Sequence, residues 1–162
     1  MLTQAQLQSI LNYNSDTGIF TWKISKSGNK GINSLAGCLH KKSKYYYICI
    51  NYKHYKLHRL AWLYVYGEWP NIIDHIDGNP SNNKISNLRN CNRQENMCNQ
   101  KLRKDNTTGV KGIRFAKHGK WRVLITSKKI KNHIGYFDDF FEACCAAYSA
   151  RNKLHGNFVR HN

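Results

Sequence analysis

Apolar positions along this chain repeat with two different periods, and the places where the period changes mark its elements. Leu7, Ile10 and Leu11 share one helical face, and Thr3-Gln4-Ala5-Gln6 has the form of a capping box, so a short helix over 3–12 is predicted. Ser15-Asp16-Thr17-Gly18 reads as a turn and Ile19-Phe20-Thr21-Trp22 as a strand. Residues 25–34 are polar and contain glycine, which predicts a loop that offers Lys26 and Lys30 to phosphate. Tyr45 to Ile50 alternates aromatic and aliphatic residues as a strand does. It returns through Asn51-Tyr52-Lys53 into a second strand ending near Leu57. The tyrosines there could stack on bases, but a half-buried sheet is the simpler assignment.

The period then becomes helical. Leu57, Leu60, Ala61 and Tyr64 form one stripe and Gly67 is a stop, so a buried amphipathic helix is predicted, with His58 and Arg59 at its start as a satisfied polar pair. Ile72-Ile73 carry a strand up to Asp74, and Asn87 to Cys91 reads as a returning strand. Asn92 with Glu95 makes a second capping box for a helix over 92–101. Beyond a polar linker at 102–108, strands are predicted at 109–115, 121–125 and 133–137, with turns at His118-Gly119-Lys120 and Lys128–Lys131. A helix over 139–154 follows, with Ala143, Ala146, Ala147 and Ala150 on one stripe and Gly156 as its stop.

Charge changes the picture. The chain has 162 residues with 26 Lys plus Arg against 9 Asp plus Glu, a formal charge of +17, so polyanions are natural partners. The excess is uneven: residues 1–56 carry +7, 57–101 only +1, and 102–162 carry +9. Two basic flanks around a nearly neutral centre suit a clamp on phosphates. The six cysteines form no CxxC pair, and no leader or membrane-length apolar run precedes them, so reduced thiols in an intracellular protein are expected. Zinc is disfavoured, because Cys91 and Cys98 near His58 and His75 do not amount to four ligands at structural spacing.

The nearly neutral centre holds the candidate chemistry. Ile73-Asp74-His75-Ile76-Asp77-Gly78-Asn79 sets a carboxylate beside an imidazole. A turn-rich loop follows (Asp77 to Asn83), then Asn87-Leu88-Arg89, then Arg93-Gln94-Glu95-Asn96. Neighbours on a regular strand face opposite ways, so Asp74 and His75 share a centre only where the strand ends or bulges. Asp77, Asn79, Asn82 and Asn83 read as loop builders, with Asp77 a reserve ligand. Phosphodiester hydrolysis needs an activated water and relief of charge on phosphorus and the leaving oxygen. A magnesium ion keeps several waters, so one carboxylate and one amide oxygen can suffice to hold it. An imidazole with an ordinary pKa of about 6.5 suits a general base.

This order of strand, loop, strand and helix resembles the ββα-metal site of phage-type HNH homing endonucleases over 57–101. The resemblance implies Asp74 and Asn96 as metal ligands, His75 as base, and Asn87 as the residue that steadies the loop and the imidazole. The expected cofactor is a divalent ion, Mg²⁺ with Mn²⁺ as a substitute. Gly109-Val110-Lys111-Gly112-Ile113, Gly119-Lys120-Trp121-Arg122, Ile134-Gly135-Tyr136-Phe137 and Leu154-His155-Gly156 resemble the AP2 DNA-binding domain over 107–161. That resemblance implies a sheet lying in the major groove. Arg114 and Arg122 would touch bases or phosphates, Lys117, Lys120, Lys128, Lys129 and Lys131 mainly phosphates, and Trp121 sugar or a thymine methyl unless it packs instead.

The fold class expected is α+β in modules: a basic β-rich region at 1–56, the ββα motif at 57–101, and three strands plus a helix at 109–162. The function expected is a metal-dependent, site-specific endonuclease acting on double-stranded DNA as a monomer, in the cytoplasm of a bacterial host. No membrane partner is expected, and no heptad seam suggests a dimer. The competing readings are a non-catalytic AP2-type regulator with a vestigial HNH fold, and an RNA-binding module, for which no single-strand signature is present.

Overall fold

The computed structural model describes residues 1–25 and 31–160, so the proposed phosphate contacts of Lys26 and Lys30 lie outside the described residues. The chain divides into two compact units, Met1–Cys91 and Asn92–Asn162. Both mix helices with small antiparallel sheets, and the class is α+β as expected.

In the first unit Thr3 caps α1 (Gln4–Ile10) reciprocally with Gln6, as its capping box predicts. The helix is shorter than expected. Leu11 is already extended and opens β1 (Leu11–Asn14), which pairs with β2 (Ile19–Trp22). Leu11 is in phase with the helical face and also with the strand, and its register opposite Trp22 buries it completely. At the tip of this hairpin Gly18 has φ +74, and a Cβ there would stand 2.5 Å from backbone atoms of Asn83 and Lys84. Only glycine lets the tip lie so close to that segment.

A second sheet joins β3 (Cys38–Leu39), β4 (Tyr46–Ile50) and β5 (Lys53–Lys56) in that order. Its hairpin turns on Asn51 and Tyr52, both at positive φ, and β3 is a short edge that the sequence pattern did not reveal. Ile48 and Ile50 are buried while Tyr46 and Tyr47 are half-buried, which is the sheet role expected of this stretch. Helix α2 (Leu57–Tyr66) ends at Gly67 as predicted. Its buried positions are Leu57, His58, Leu60, Ala61 and Leu63. Tyr64 is only half-buried, edge-on to Tyr13 and Phe20. The Tyr64 carbonyl accepts the side-chain amides of Gln4 and Gln8, which fastens α1 to α2. Arg59 donates to the carbonyls of Pro70 and Asn71 and so fixes the entry to β6 (Ile72–His75). Burial of Leu7, Leu11, Leu60 and Leu63 contributes about 1.5–3 kcal/mol each.

Strand β6 pairs with β7 (Leu88–Cys91). Asn87, expected as the first residue of β7, instead closes a 3-10 turn over Ile85–Asn87. Its side chain is committed to the loop before it, and the strand starts one residue later.

In the second unit Asn92 and Glu95 form the expected capping box of α3 (Arg93–Cys98), which stops at Asn99, short of 101. Strands β8 (Ile113–Phe115), β9 (Trp121–Ser127) and β10 (Ile130–Phe137) form one antiparallel sheet with β9 in the middle. β8 was expected from Gly109, but Gly109 and Gly112 lie at φ +73 and +85, so extended backbone begins only at Ile113. The β9–β10 turn is confined to Lys128 and Lys129, both at positive φ, and both strands run longer than predicted. Helix α4 (Phe140–His155) is capped by Asp139 and closed by Gly156. Its Ala143 and Ala147 pack on Ile113, Val123 and Ile125, while Ala146 and Ala150 are half-buried. Arg151 continues the same stripe and is only 2% exposed. Among the described residues no helix is long and apolar enough to cross a membrane, and no cysteine is joined in a disulfide.

Candidate active site

The β6–β7 hairpin places the acid and the imidazole. Its ladder runs without a register shift from Ile72↔Cys91 to His75↔Leu88, so Asp74 lies across from Arg89 and His75 across from Leu88. Alternation sends Asp74 and His75 to opposite faces, and the strand ends at His75 without a bulge. Both are buried, at 6% and 5% exposure. The Asp74 carboxylate is answered within the hairpin: Arg89 Nε and Nη2 reach Oδ2 at 2.8 and 2.6 Å. A charge-assisted pair of this kind removes most of the cost of burying the carboxylate.

His75 sits in an aromatic corner. Its ring centroid is 5.0 Å from that of His58, edge-on at 85°, and 5.9 Å from that of Tyr45. Tyr45 also contacts His58, and Lys56 Nζ lies 4.5 Å above the Tyr45 ring. Burial pushes the His58 pKa down to about 3, with His75, Lys56 and Arg59 adding to the shift, so this ring is a neutral wall at physiological pH. Burial also lowers the His75 pKa, against the opposing effects of a hydrogen bond with Asn83 and of the Asp77 and Asp74 carboxylates. A neutral imidazole can accept a proton.

The loop after His75 is locked by its own polar groups. The Ile76 amide donates to the Asn87 carbonyl at 2.9 Å and the Asp77 amide to Asn87 Oδ1 at 3.0 Å. Asn87 Nδ2 donates to Asp77 Oδ1 and to the Asn82 carbonyl, while Asn82 Nδ2 donates to Asp77 Oδ2. The Asn79 amide completes the cage on Asp77 at 2.7 Å. Desolvation raises the Asp77 pKa, but these bonds outweigh it and the net shift is downward. Both oxygens of Asp77 thus serve the loop, and its part here is the loop builder rather than the reserve ligand.

Residues far away in sequence hold this loop from outside. Tyr13 Oη donates to the Asn83 carbonyl at 2.7 Å, Ser81 Oγ to the Lys44 carbonyl at 2.8 Å, and the Ile85 amide to the Ser15 carbonyl at 3.2 Å. Asn83 is buried at 4% exposure beside His75. Asn83, Tyr45 and Arg89 were not read from the sequence as parts of the site, and His58 was read only as a satisfied pair. The signal was weak: a loop asparagine and a tyrosine strand have ordinary structural uses, and the Asp74–Arg89 pairing needs the hairpin register.

Asn96, in α3 of the second unit, is half-buried, and no described residue binds its side-chain amide. Among the described residues no three His, Cys, Asp or Glu side chains gather as a metal cage.

Residues 55–98 match the family model described as HNH endonuclease. The chain is 38% identical over 112 residues to protein 3.8 of Escherichia phage T7, an alignment covering 67% of this chain and 92% of that protein. This chain belongs to the same family as the phage protein, and its centre is an HNH endonuclease domain. No solved structure matches it. The HNH segment contains α2, the β6–β7 hairpin with its loop, and α3, so His58, Asp74, His75, Asn83, Asn87, Arg89 and Asn96 all fall inside it. Tyr13, Gly18 and Lys44, which prop the HNH loop, lie outside.

The side chains expected to meet DNA belong to the second unit. Arg114 and Arg122 face each other across β8 and β9, on the side of the sheet away from Val123, Ile125 and α4. Lys117, Lys128, Lys129 and Lys131 are exposed. Lys120 pairs with Asp138 at 3.1 Å. Trp121 is half-buried between Phe115 and Phe140, with centroids at 4.8 and 4.6 Å, and therefore packs.

Proposed function

We propose that this protein is a metal-dependent, site-specific DNA endonuclease of the homing type, with the second unit acting as an AP2-like hold on double-stranded DNA. The observation that carries the reading is the burial of both Asp74 and His75, on opposite faces at the end of β6, next to a loop that Asn87 and Asp77 lock, within the HNH segment. His75, kept neutral by burial, takes the proton of the attacking water. Asn87 keeps the loop that follows His75 in one conformation, which limits the positions the imidazole can adopt.

Each of the two ligands implied by the resemblance carries the hard oxygen a divalent ion takes: the Asp74 carboxylate, and the Asn96 amide that no described residue claims. Those two side chains would hold Mg²⁺ or Mn²⁺, which when bound supplies charge stabilisation at the scissile phosphate and the leaving 3′ oxygen. Arg114 and Arg122 on the open face of the sheet, with Lys117, Lys128, Lys129 and Lys131, would bind DNA bases and phosphates. The net charge of +17 supports a polyanionic substrate, and kinship with a phage protein supports action on DNA inside a bacterial host.

One observation favours a second reading, a DNA-binding regulator on a silent HNH scaffold: Arg89 already neutralises Asp74. Incubation of the protein with supercoiled plasmid and phage genomic DNA, with Mg²⁺, Mn²⁺ or EDTA, separates the two. Cation-dependent nicked or linear product, lost in Asp74→Ala and in His75→Ala, is the expected result. DNA that is bound yet stays intact with both cations would establish the regulator.

A further inference from the structure

The second unit has a cavity of about 1090 Å³ whose wall carries Lys111, Arg151 and His155. Lys111 and Arg151 form a cationic pair with no acidic partner among the described residues, beside the imidazole of His155, whose pKa burial lowers. Lys111 Nζ donates to the main-chain carbonyls of Gln100 and Arg160, and Arg151 Nη2 donates to the same Arg160 carbonyl. Arg151 is almost fully buried, and its Nη1 has no hydrogen-bond partner among the described residues. His155 Nε2 is occupied by the Thr126 carbonyl at 3.2 Å, while its buried Nδ1 has no partner. Asp105 is the one carboxylate on the cavity wall among the described residues, and it pairs with Arg103.

A buried guanidinium with an idle N–H, next to an ammonium and an imidazole, is costly unless an acceptor arrives. We propose that Lys111, Arg151 and His155 form a binding site for a phosphate-class anion. Main-chain carbonyls, which already engage one nitrogen of each of the three side chains, bring no negative charge, so the positive charge of Lys111 and Arg151 stays uncompensated by them. Burial above all, with the nearby Arg151 and Arg160, holds the Lys111 pKa down at about 8 against an opposing pull from Cys98. The same wall carries Arg114, Arg122, Lys128, Lys129 and Lys131, so the proposal rests on the DNA-binding reading of this unit and adds Lys111, Arg151 and His155 to it. Its anion is either free inorganic phosphate or a phosphate of a polynucleotide.

The test has two arms on the full chain, comparing native protein with Lys111→Gln and with the charge-keeping Lys111→Arg. Arg151→Gln is added where it folds. In the first arm, inorganic phosphate is titrated at constant ionic strength against chloride, followed by ³¹P NMR and calorimetry. In the second, affinity for duplex DNA is measured over about 50 to 200 mM salt. Saturable phosphate binding that weakens about tenfold or more in Lys111→Gln and is kept by Lys111→Arg supports the site with a free anion. A salt slope shallower by about one in Lys111→Gln, with phosphate itself unbound, supports it with a polynucleotide phosphate. If neither quantity differs between native protein and Lys111→Gln, the cluster only straps the C-terminal segment and the proposal fails.

Discussion

The two units of this protein bury different kinds of side chain. Met1–Cys91 packs Leu7, Leu11, Phe20, Trp22, Leu60 and Leu63 into a core of large apolar groups and carries 11 basic against 4 acidic residues. Asn92–Asn162 packs Ile113, Val123 and Ile125 on two alanines, buries an arginine, and carries 15 basic against 5 acidic residues. The first has enough apolar burial to hold a hydrogen-bonded polar loop and two buried histidines in place. The second buries a cation, Arg151, beside a small apolar core.

The sharpest way to break this contrast is by volume. Leu60→Ala removes a fully buried side chain and should cost about 2–5 kcal/mol, and hydrogen exchange should rise throughout 1–91 while 113–155 stays protected. Ala147→Leu should do the reverse, overpacking the α4–sheet contact for about 1–3 kcal/mol and deprotecting 113–155 alone. Loss of protection along the entire chain in either variant would show that the two cores behave as one cooperative unit.

Asn87→Ala comes next. It strips three side-chain hydrogen bonds from the Asp77 loop and should destabilise the first unit by about 1–3 kcal/mol, with the cleavage rate falling more than DNA affinity. Equal losses in rate and affinity would move Asn87 from the catalytic loop to the DNA interface.

Acidity should separate the units as well. His58 has an ordinary pKa of 6.5 and a folded value of about 3, so the unfolded chain binds the extra proton in between. The stability it contributes is complete above about pH 6.5 and is lost as the pH falls toward 3, with a limiting slope of about 1.4 kcal/mol per unit. Lys111 in the second unit acts in another window: from an ordinary 10.5 to about 8, it adds stability only as the pH rises through that interval. Residue-resolved denaturation by NMR should show the first unit weakening below pH 6.5, less so in His58→Gln, and the second gaining above pH 8. The smallest effect expected is at the caps. Thr3→Ala and Asp139→Ala should each cost about 1 kcal/mol, in the first and second unit respectively.

Much of this was legible in the chain, because the decisive signals were local. Gly67 ends α2, Asn92 with Glu95 opens α3, and the strand–loop–strand–helix order around Asp74-His75 needs no knowledge of packing. The misses came where two local patterns coincide. Leu11 fits the α1 face and also β1, and only its pairing with Trp22 decides. Gly109-Val110-Lys111-Gly112 alternates like a strand, yet its glycines take the left-handed backbone. Long-range partners were out of reach: Arg89 meets Asp74 only through the hairpin register, and Tyr13 finds Asn83 across 70 residues. The burial of Arg151 was also out of reach, because nothing local marks a charged residue at the end of an alanine stripe as an inward one.

The Arg89–Asp74 pair has a practical consequence. A zinc finger collapses in a chelator because its metal is also its core. Here the carboxylate most exposed to electrostatic penalty has its counter-charge on the neighbouring strand, 2.6 Å away. The hairpin therefore keeps its shape with no ion supplied from outside. If the protein is the metal-dependent nuclease proposed above, it should therefore survive purification in EDTA with its fold intact and act once a divalent salt is added.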